Sequence, residues 1–548
     1  MKVVIIGGDA AGLKTAARLR RISPETEITV LEKGDIISYA ACGLPYYLSG
    51  DVDSFEDLIK TAWGEVKNAE FFKEAKGIDV LTGHEAIRIN REKKLVESIE
   101  LKTGELRNFS YDFLVIATGA SPFKLDIPGT ELDGVGYFTK PAEAIALRRD
   151  LETGKIGKVA IIGAGYIGLE LCESFGALWG VEVILIEKEE QVLPVMLDTE
   201  MAKVVNRHLV EQGVDVRCNS EASEINLNEN GLIVRLLAGD HFEIDRVLIA
   251  VGVSPRAELA QSAGLDIGAN GGIRIDSTGQ TSDKYIFAAG DCTELPHGSS
   301  SYLLPLGSIA NRMGRVVANN IAGKKDELPL LNGSSVVKVF DKNVAVCGKS
   351  VQQMKKKNLD CEEYWGSFTD RAHYYPESSD LHIKIVREEN GRLVGIQVIG
   401  PGDVVRRADS FAQIMTMADG DPAALLKLEH AYAPPFATAM DPLHHMGAMI
   451  ETGNNLQLPP DALSDGGEAD WTVINLLAPD ESSEWERPAI KGKWLDIPYS
   501  ELRRKAKELS GKEVVFICAR GPRSYEAAIM LRSMGIDAKY IAGGIVFR

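Results

Sequence analysis

The 548-residue chain is 45% hydrophobic, 26% charged and 7% aromatic, the make-up of a folded globular protein, which excludes wholesale disorder. At roughly 150 residues per domain it is too long for one core and calls for three or four compact units. Its formal charge of −18 argues against non-specific nucleic-acid or anionic-membrane partners, which need a net basic surface, but leaves room for small anions held in local cradles.

The chain opens on Lys2-Val3-Val4-Ile5-Ile6, a β-branched run that breaks at Gly7-Gly8 and continues into helix-compatible text. With glycines arriving so early and no later stretch reaching about 20 apolar residues, a cytoplasmic protein is expected. Lys158-Val159-Ala160-Ile161-Ile162-Gly163-Ala164-Gly165 repeats the opening. A third run, Tyr111 to Ala117, ends in Thr118-Gly119 and is echoed by Asp245 to Gly252, while Tyr285 to Ala289 ends in Gly290-Asp291. Two strand–turn–helix openings predict an α/β protein with two Rossmann-like dinucleotide-binding domains. The first is discontinuous, over 1–120 and 246–325, with the second inserted at 121–245.

From 326 to 451 strand-like pieces such as Val336 to Phe340 and His382 to Val386, and a helix near 408–418, predict an α+β module. Residues 452–470, rich in proline, glycine and acids without periodicity, read as a linker. Strand candidates at Trp471 to Ile474, Val514 to Ile517 and Lys539 to Ile541, alternating with helical text, make 471–548 a small α/β domain. The seven cysteines, at 42, 172, 218, 292, 347, 361 and 518, are odd in number and never spaced C-x-x-C. That fits neither a disulfide framework nor a metal site, and a cysteine that matters here is a reactive thiol.

A glycine-rich turn between strand and helix brings backbone N–H groups against a pyrophosphate. Gly163-Ala164-Gly165-Tyr166-Ile167-Gly168 has that form, and Glu187 closes the next strand 19 residues on. A carboxylate there bonds a ribose 2′-hydroxyl and repels an added phosphate, which predicts NADH over NADPH, although Lys188 stands beside it. The N-terminal copy, Gly7-Gly8-Asp9-Ala10-Ala11-Gly12, has aspartate at the middle glycine position and Glu32 at the matching spacing.

The order of these motifs resembles the pyridine nucleotide–disulfide oxidoreductase family. The resemblance implies a glutathione-reductase-like fold in which FAD takes Gly7, Gly8, Ala11, Gly12, Glu32, Lys33, Thr118, Gly119, Gly290 and Asp291. It gives NADH to Gly163, Gly165, Tyr166, Ile167, Gly168, Glu187 and Gly252, and makes 326–451 a dimerisation domain. Cys42, in Ala40-Ala41-Cys42-Gly43-Leu44-Pro45-Tyr46-Tyr47, resembles the family's redox cysteine. Many relatives carry a second cysteine five positions on, where this chain has Tyr47, so the likeness is to the single-cysteine subgroup. That subgroup holds coenzyme A-disulfide reductases, NADH-dependent persulfide or polysulfide reductases, and NADH oxidases or peroxidases.

By the same resemblance a homodimer brings Tyr432, and Tyr374 or Tyr375, to the thiol of the opposite subunit, as hydroxyl donors to a leaving thiolate or as interface packing. Lys14, Arg18, Arg21, Ser38 and Lys76 correspond to coenzyme A-holding positions, or are solvated surface charge. Ala41 and Met440 replace an asparagine and a lysine common in that role. Finally, Cys518-Ala519-Arg520-Gly521-Pro522-Arg523 resembles a rhodanese loop, with Cys518 as persulfide carrier and Arg520 and Arg523 as anion contacts, although Asn475-Leu476-Leu477 replaces the usual acid–arginine text.

The expectation is a FAD- and NADH-dependent reductase of persulfide, polysulfide or coenzyme A disulfide. The alternatives are an NADH oxidase or peroxidase cycling through a sulfenate, and a redox-sensing flavoprotein.

Overall fold

The computed structural model describes residues 1–229, 231–297, 300–453, 456–463, 470–479, 481, 487 and 492–547. The chain divides into two compact units, Met1–Lys188 with Gly213–Leu331 and Glu189–Gln212 with Asn332–Arg548.

The first unit builds one architecture twice. A five-stranded parallel sheet runs in the order Ile286–Ala288, Phe113–Ile116, Lys2–Ile6, Glu27–Leu31, Asp79–Leu81. A second runs Val135–Tyr137, Arg246–Ile249, Lys158–Ile162, Glu182–Ile186, Asp215–Arg217. Parallel strands are covered on both faces, which is why Val3 to Ile6 and Val159 to Ile162 are continuous apolar runs and nearly fully buried. Each sheet is accompanied by a three-stranded antiparallel meander, His84–Asn90 to Leu106–Ser110 in one and Ala222–Asn228 to His241–Ile244 in the other.

Strand Ile286–Ala288, which follows the whole second sheet in sequence, completes the first sheet beside Phe113–Ile116. The boundary expected at 246 is corrected: Arg246–Ile249 pairs in register with Lys158–Ile162 and belongs to the second sheet. Its Val-Leu-Ile run is buried there, and detaching it would strip one side of the central strand of its partners.

The second unit holds a five-stranded antiparallel sheet in the order Ser335–Val339, Lys342–Gly348, Leu393–Gly400, Asp380–Glu388, Cys361–Thr369, with the helix Val404–Met417 packed on it. Segment 189–212 is bound to this sheet. Asp198 accepts from the N–H groups of Val351 and Gln352 and from Gln397, and the 1%-exposed Lys384 meets Asp198, Glu200 and Glu363 at 3.0, 3.2 and 2.8 Å. Three carboxylates around one buried ammonium offset its desolvation.

A five-stranded parallel sheet follows, ordered Gln457–Leu458, Ala538–Ile541, Val514–Ile517, Thr472–Asn475, Lys493–Asp496. Gln457–Leu458 lies within the segment read as a linker, and Leu463 packs into the core of this sheet. Residues 454–455 and 464–469 of that segment lie outside the described residues. Among the described residues no helix is long and apolar enough to cross a membrane.

Candidate active site

The two glycine turns of the first unit are shaped by packing before any ligand is considered. Gly7 and Gly163 have φ of 113° and 106°, and a Cβ on either would lie 2.1 Å from the Ala117 carbonyl oxygen or 2.5 Å from that of Ala250. A Cβ on Gly12 or Gly168 would lie 2.0 Å from the carbonyl oxygen of Gly7 or Gly163, so only glycine lets each helix start this close to its strand. Gly165 differs: a Cβ there meets nothing within 4 Å. Packing does not demand that glycine, which leaves an open concavity at the start of helix Tyr166–Gly176, whose N-terminus no side chain caps.

The acids take equivalent places in both copies. The Gly8 N–H donates to Glu32 at 2.7 Å and the Ala164 N–H donates to Glu187 at 2.7 Å. Lys188, next to Glu187 in sequence, pairs with Glu221 at 3.8 Å, and Arg217, whose carbonyl accepts the Glu187 N–H at 2.8 Å, meets both oxygens of Asp215 at 2.7 and 2.9 Å. Lys33 pairs with Glu85 at 2.8 Å. Asp9 is the N-cap of helix Ala10–Ile22, and burial, reinforced by Glu32, raises its carboxyl to about 7. A carboxyl so easily protonated is compatible with a phosphate beside it, and both turns fit a dinucleotide.

Thr118 and Gly119 follow strand Phe113–Ile116, and the Thr118 hydroxyl donates to the Arg256 carbonyl at 2.6 Å. Gly119 and Gly252 both have positive φ with open space around them. Gly290 lies against Ala11, where an added Cβ would come within 3.0 Å of the alanine methyl, and burial raises the carboxyl of Asp291.

Cys42 sits in a single 3-10 turn, Ala41–Gly43, that leads into helix Leu44–Ser49. The Ser38 N–H bonds the Gly8 carbonyl at 3.0 Å, tying this loop to the first glycine turn. From the other side, Ser174 donates to the Pro45 carbonyl, Trp179 to that of Leu48 and Arg148 to that of Tyr47, at 3.0, 2.8 and 2.8 Å. Tyr47 is a buried packing residue, edge-on to Phe55 at 5.9 Å and below Arg148 at 5.7 Å.

Cys42 is an exposed free thiol. A Cβ on Gly307, the first residue of helix Gly307–Ile321, would lie 3.9 Å from its sulfur. Partial burial of the sulfur, then the carboxylates of Glu170, Asp291 and Asp9, raises the thiol above its ordinary range, whereas the nearby helix N-terminus favours the thiolate. Glu170 is itself raised to about 7 by burial and by Glu173. Neither Gly307 nor Glu170 was singled out from sequence, because neither belongs to a glycine motif or stands near residue 42 in the chain.

Of the basic candidates, Lys14 and Arg21 are exposed on helix Ala10–Ile22, and Lys76 lies over the rings of Phe71 and Phe72 at 5.3 Å. Partial burial lowers Lys76, and Arg21 and Lys14 lower it further, so the three cations share one field. Arg18 is instead committed to Asn319 at 2.9 Å.

In the second unit Tyr374 and Tyr432 are exposed, and a hydrogen bond between them raises the Tyr432 hydroxyl. Tyr375, in the same turn, donates its N–H to the Ala372 carbonyl at 2.8 Å.

Cys518 directly follows strand Val514–Ile517, ahead of helix Pro522–Ser533. Gly521, at φ 105°, donates its N–H to the Cys518 sulfur at 3.1 Å, and the Arg523 guanidinium lies within electrostatic reach of the same sulfur. Ile545 and Val546 donate to the carbonyls of Cys518 and Ala519 at 3.0 and 3.1 Å, and Cys518 is 1% exposed. Where the acid–arginine text is missing, Asn475 donates to Asp496 at 2.9 Å and accepts from the Leu477 N–H at 3.1 Å.

Comparison with known proteins places these features in context. The family described as pyridine nucleotide-disulphide oxidoreductase matches residues 1–318, and its dimerisation domain matches 334–443. The chain is 33% identical to an NADH oxidase of Methanocaldococcus jannaschii over 81% of this chain and 97% of that protein. It is 34% identical to an NAD(P)H coenzyme A polysulfide/persulfide reductase of Pyrococcus horikoshii, over 81% and 96%. The solved NAD-dependent persulfide reductase from A. fulgidus superposes with a TM-score of 0.91 at 37% identity, covering 100% of both chains.

Proposed function

Because the chain belongs to the pyridine nucleotide-disulphide oxidoreductase family, we propose that it is a FAD- and NADH-dependent reductase of persulfides, polysulfides or coenzyme A disulfide that works through Cys42, with Cys518 binding or relaying sulfane sulfur. The observation that carries this reading is the exposed single thiol of Cys42 beside the helix N-terminus at Gly307, on a loop bonded to the first glycine turn.

Gly7, Gly8, Gly12, Glu32, Thr118, Gly119 and Asp291 would hold FAD, and Gly163, Gly165, Gly168 and Glu187 would hold NADH. The bound pair supplies the two electrons that the sulfur chemistry consumes. The Cys42 thiolate attacks the outer sulfur of a persulfide, the sulfur–sulfur bond breaks, and the thiol part leaves as a thiolate. Two-electron cleavage of the resulting Cys42 persulfide then releases hydrosulfide and restores the thiolate. With Tyr47 five positions on, Cys42 has no local disulfide partner, so substrate sulfur itself carries the oxidised state.

The Glu187 carboxylate, held by the Ala164 N–H, supports NADH over NADPH, and the pairing of Lys188 with Glu221 and of Arg217 with Asp215 offsets the charge these two cations would offer a 2′-phosphate. The converging charges of Lys14, Arg21 and Lys76 support a phosphate-bearing thiol such as coenzyme A. In a homodimer formed through 334–443, the Tyr374–Tyr432 pair would serve the partner subunit's active cysteine. A Tyr432 hydroxyl that stays protonated can donate a hydrogen bond to a leaving thiolate.

An NADH oxidase is the second reading, favoured by the Methanocaldococcus jannaschii relative. NADH consumption compared across an organic persulfide, polysulfide, coenzyme A disulfide and oxygen separates the two. Rates that depend on a sulfur substrate are expected, and equal or faster consumption with oxygen alone would refute the reductase reading.

A further inference from the structure

Arg520 and Arg523 flank Cys518 as anion contacts would, yet the chain's own carboxylates already occupy both. Arg523 meets Glu481 through two bonds, of 2.8 and 2.7 Å. The Nε of Arg520 bonds Asp380, at the start of strand Asp380–Glu388 in the antiparallel sheet. The Arg520 carbonyl accepts the Ser367 N–H from the adjacent strand at 3.3 Å, and Phe547 stacks edge-on against the buried His382 at 5.2 Å. The sulfur loop is therefore closed by residues that lie outside the rhodanese-like segment as well as inside it.

These pairs are reachable by solvent. The side chains of Arg520 and Asp380 are 45% and 26% exposed, and those of Arg523 and Glu481 33% and 37%. An anion entering the loop must displace a carboxylate from a guanidinium and stand beside the carboxylate it displaced. That cost rises with the charge the donor brings to the sulfur.

Resting on the sulfur-relay reading of Cys518, we propose that Asp380 and Glu481 determine its specificity, acting as internal anions that exclude a doubly charged sulfane donor such as thiosulfate and admit an organic persulfide. Transfer from either donor has the same form. The Cys518 thiolate attacks the sulfane sulfur, the donor's sulfur–sulfur bond breaks, and sulfite or a thiolate leaves with the electron pair. Cys518 persulfide then passes its outer sulfur to an acceptor.

The test uses the full chain without NADH, cyanide as acceptor, and thiosulfate or 2-hydroxyethyl persulfide as donor, with thiocyanate measured. The wild type should prefer the persulfide. Asp380→Asn and Glu481→Gln should each raise the thiosulfate-to-persulfide ratio of kcat/KM roughly fivefold, the upper end for a part-exposed ion pair. An unchanged or lower ratio in both variants, with Cys518-dependent transfer intact, would overturn the proposal and leave the relay reading standing. No transfer from either donor, or transfer that survives Cys518→Ser, would instead defeat the relay reading.

A second measurement needs no substitution. Alkylation of Cys518 in the wild type, followed by peptide mass spectrometry, should favour neutral iodoacetamide over anionic iodoacetate by more than a free thiol does. An equal preference would contradict the proposal.

Discussion

The sulfur of Cys42 lies 3.9 Å from the point where a Cβ on Gly307 would stand, so the first residue of a 15-residue helix faces the thiol with no side chain between them. Gly307→Ala would put a methyl group in ordinary contact with the sulfur while improving helix propensity by about 0.8–1.0 kcal/mol at most. The expected outcome is an unchanged or higher melting temperature with persulfide reduction slowed about tenfold, because the sulfur and its substrate lose the approach to the helix end. Steady-state rates and a melting curve on one preparation check this.

Glu170 sets a pH dependence. Burial and Glu173 raise its carboxyl from 4.5 to about 7. Its stabilising contribution is therefore complete below pH 4.5 and is lost as pH rises through 7, because the folded state prefers the proton. Glu170→Gln should raise the melting temperature at pH 8 and leave it unchanged near pH 4. Removing the charge should also lower the Cys42 thiol, which Glu170 helps to raise, so alkylation of Cys42 at pH 8 should be faster in the variant.

Lys384 is 1% exposed and surrounded by Asp198, Glu200 and Glu363. Lys384→Met leaves three carboxylates facing one another around an apolar chain and should cost about 3–5 kcal/mol in denaturant unfolding. A loss under about 1 kcal/mol would mean that water already solvates the cluster.

Coenzyme choice follows from Glu187, held by the Ala164 N–H at 2.7 Å. Glu187→Ala should narrow the preference for NADH over NADPH by about tenfold, mainly through a weaker KM for NADH. The ratio of kcat/KM for the two coenzymes is the check.

Much of this was legible in the sequence because it is local. A β-branched run, a glycine turn and an acid about 20 residues later fall in one βαβ unit, and Glu32 and Glu187 do lie against the N–H groups of Gly8 and Ala164. The parts that were not legible join distant residues: Gly307 to Cys42, Lys384 to Asp198, and Arg520 to Asp380. No period or spacing reports a contact across 265, 186 or 140 positions. Gln457–Leu458 escaped notice for another reason, since two residues are too few to show alternation. The boundary at 246 failed because a buried parallel strand looks alike in either sheet.

The most direct test of the account is NADH-dependent hydrosulfide release from an organic persulfide by wild type and Cys42→Ser, each purified with its flavin. The wild type should release hydrosulfide in proportion to NADH consumed, and the variant should keep its flavin yet release none above background. Hydrosulfide release by Cys42→Ser at a rate near that of the wild type would contradict the account.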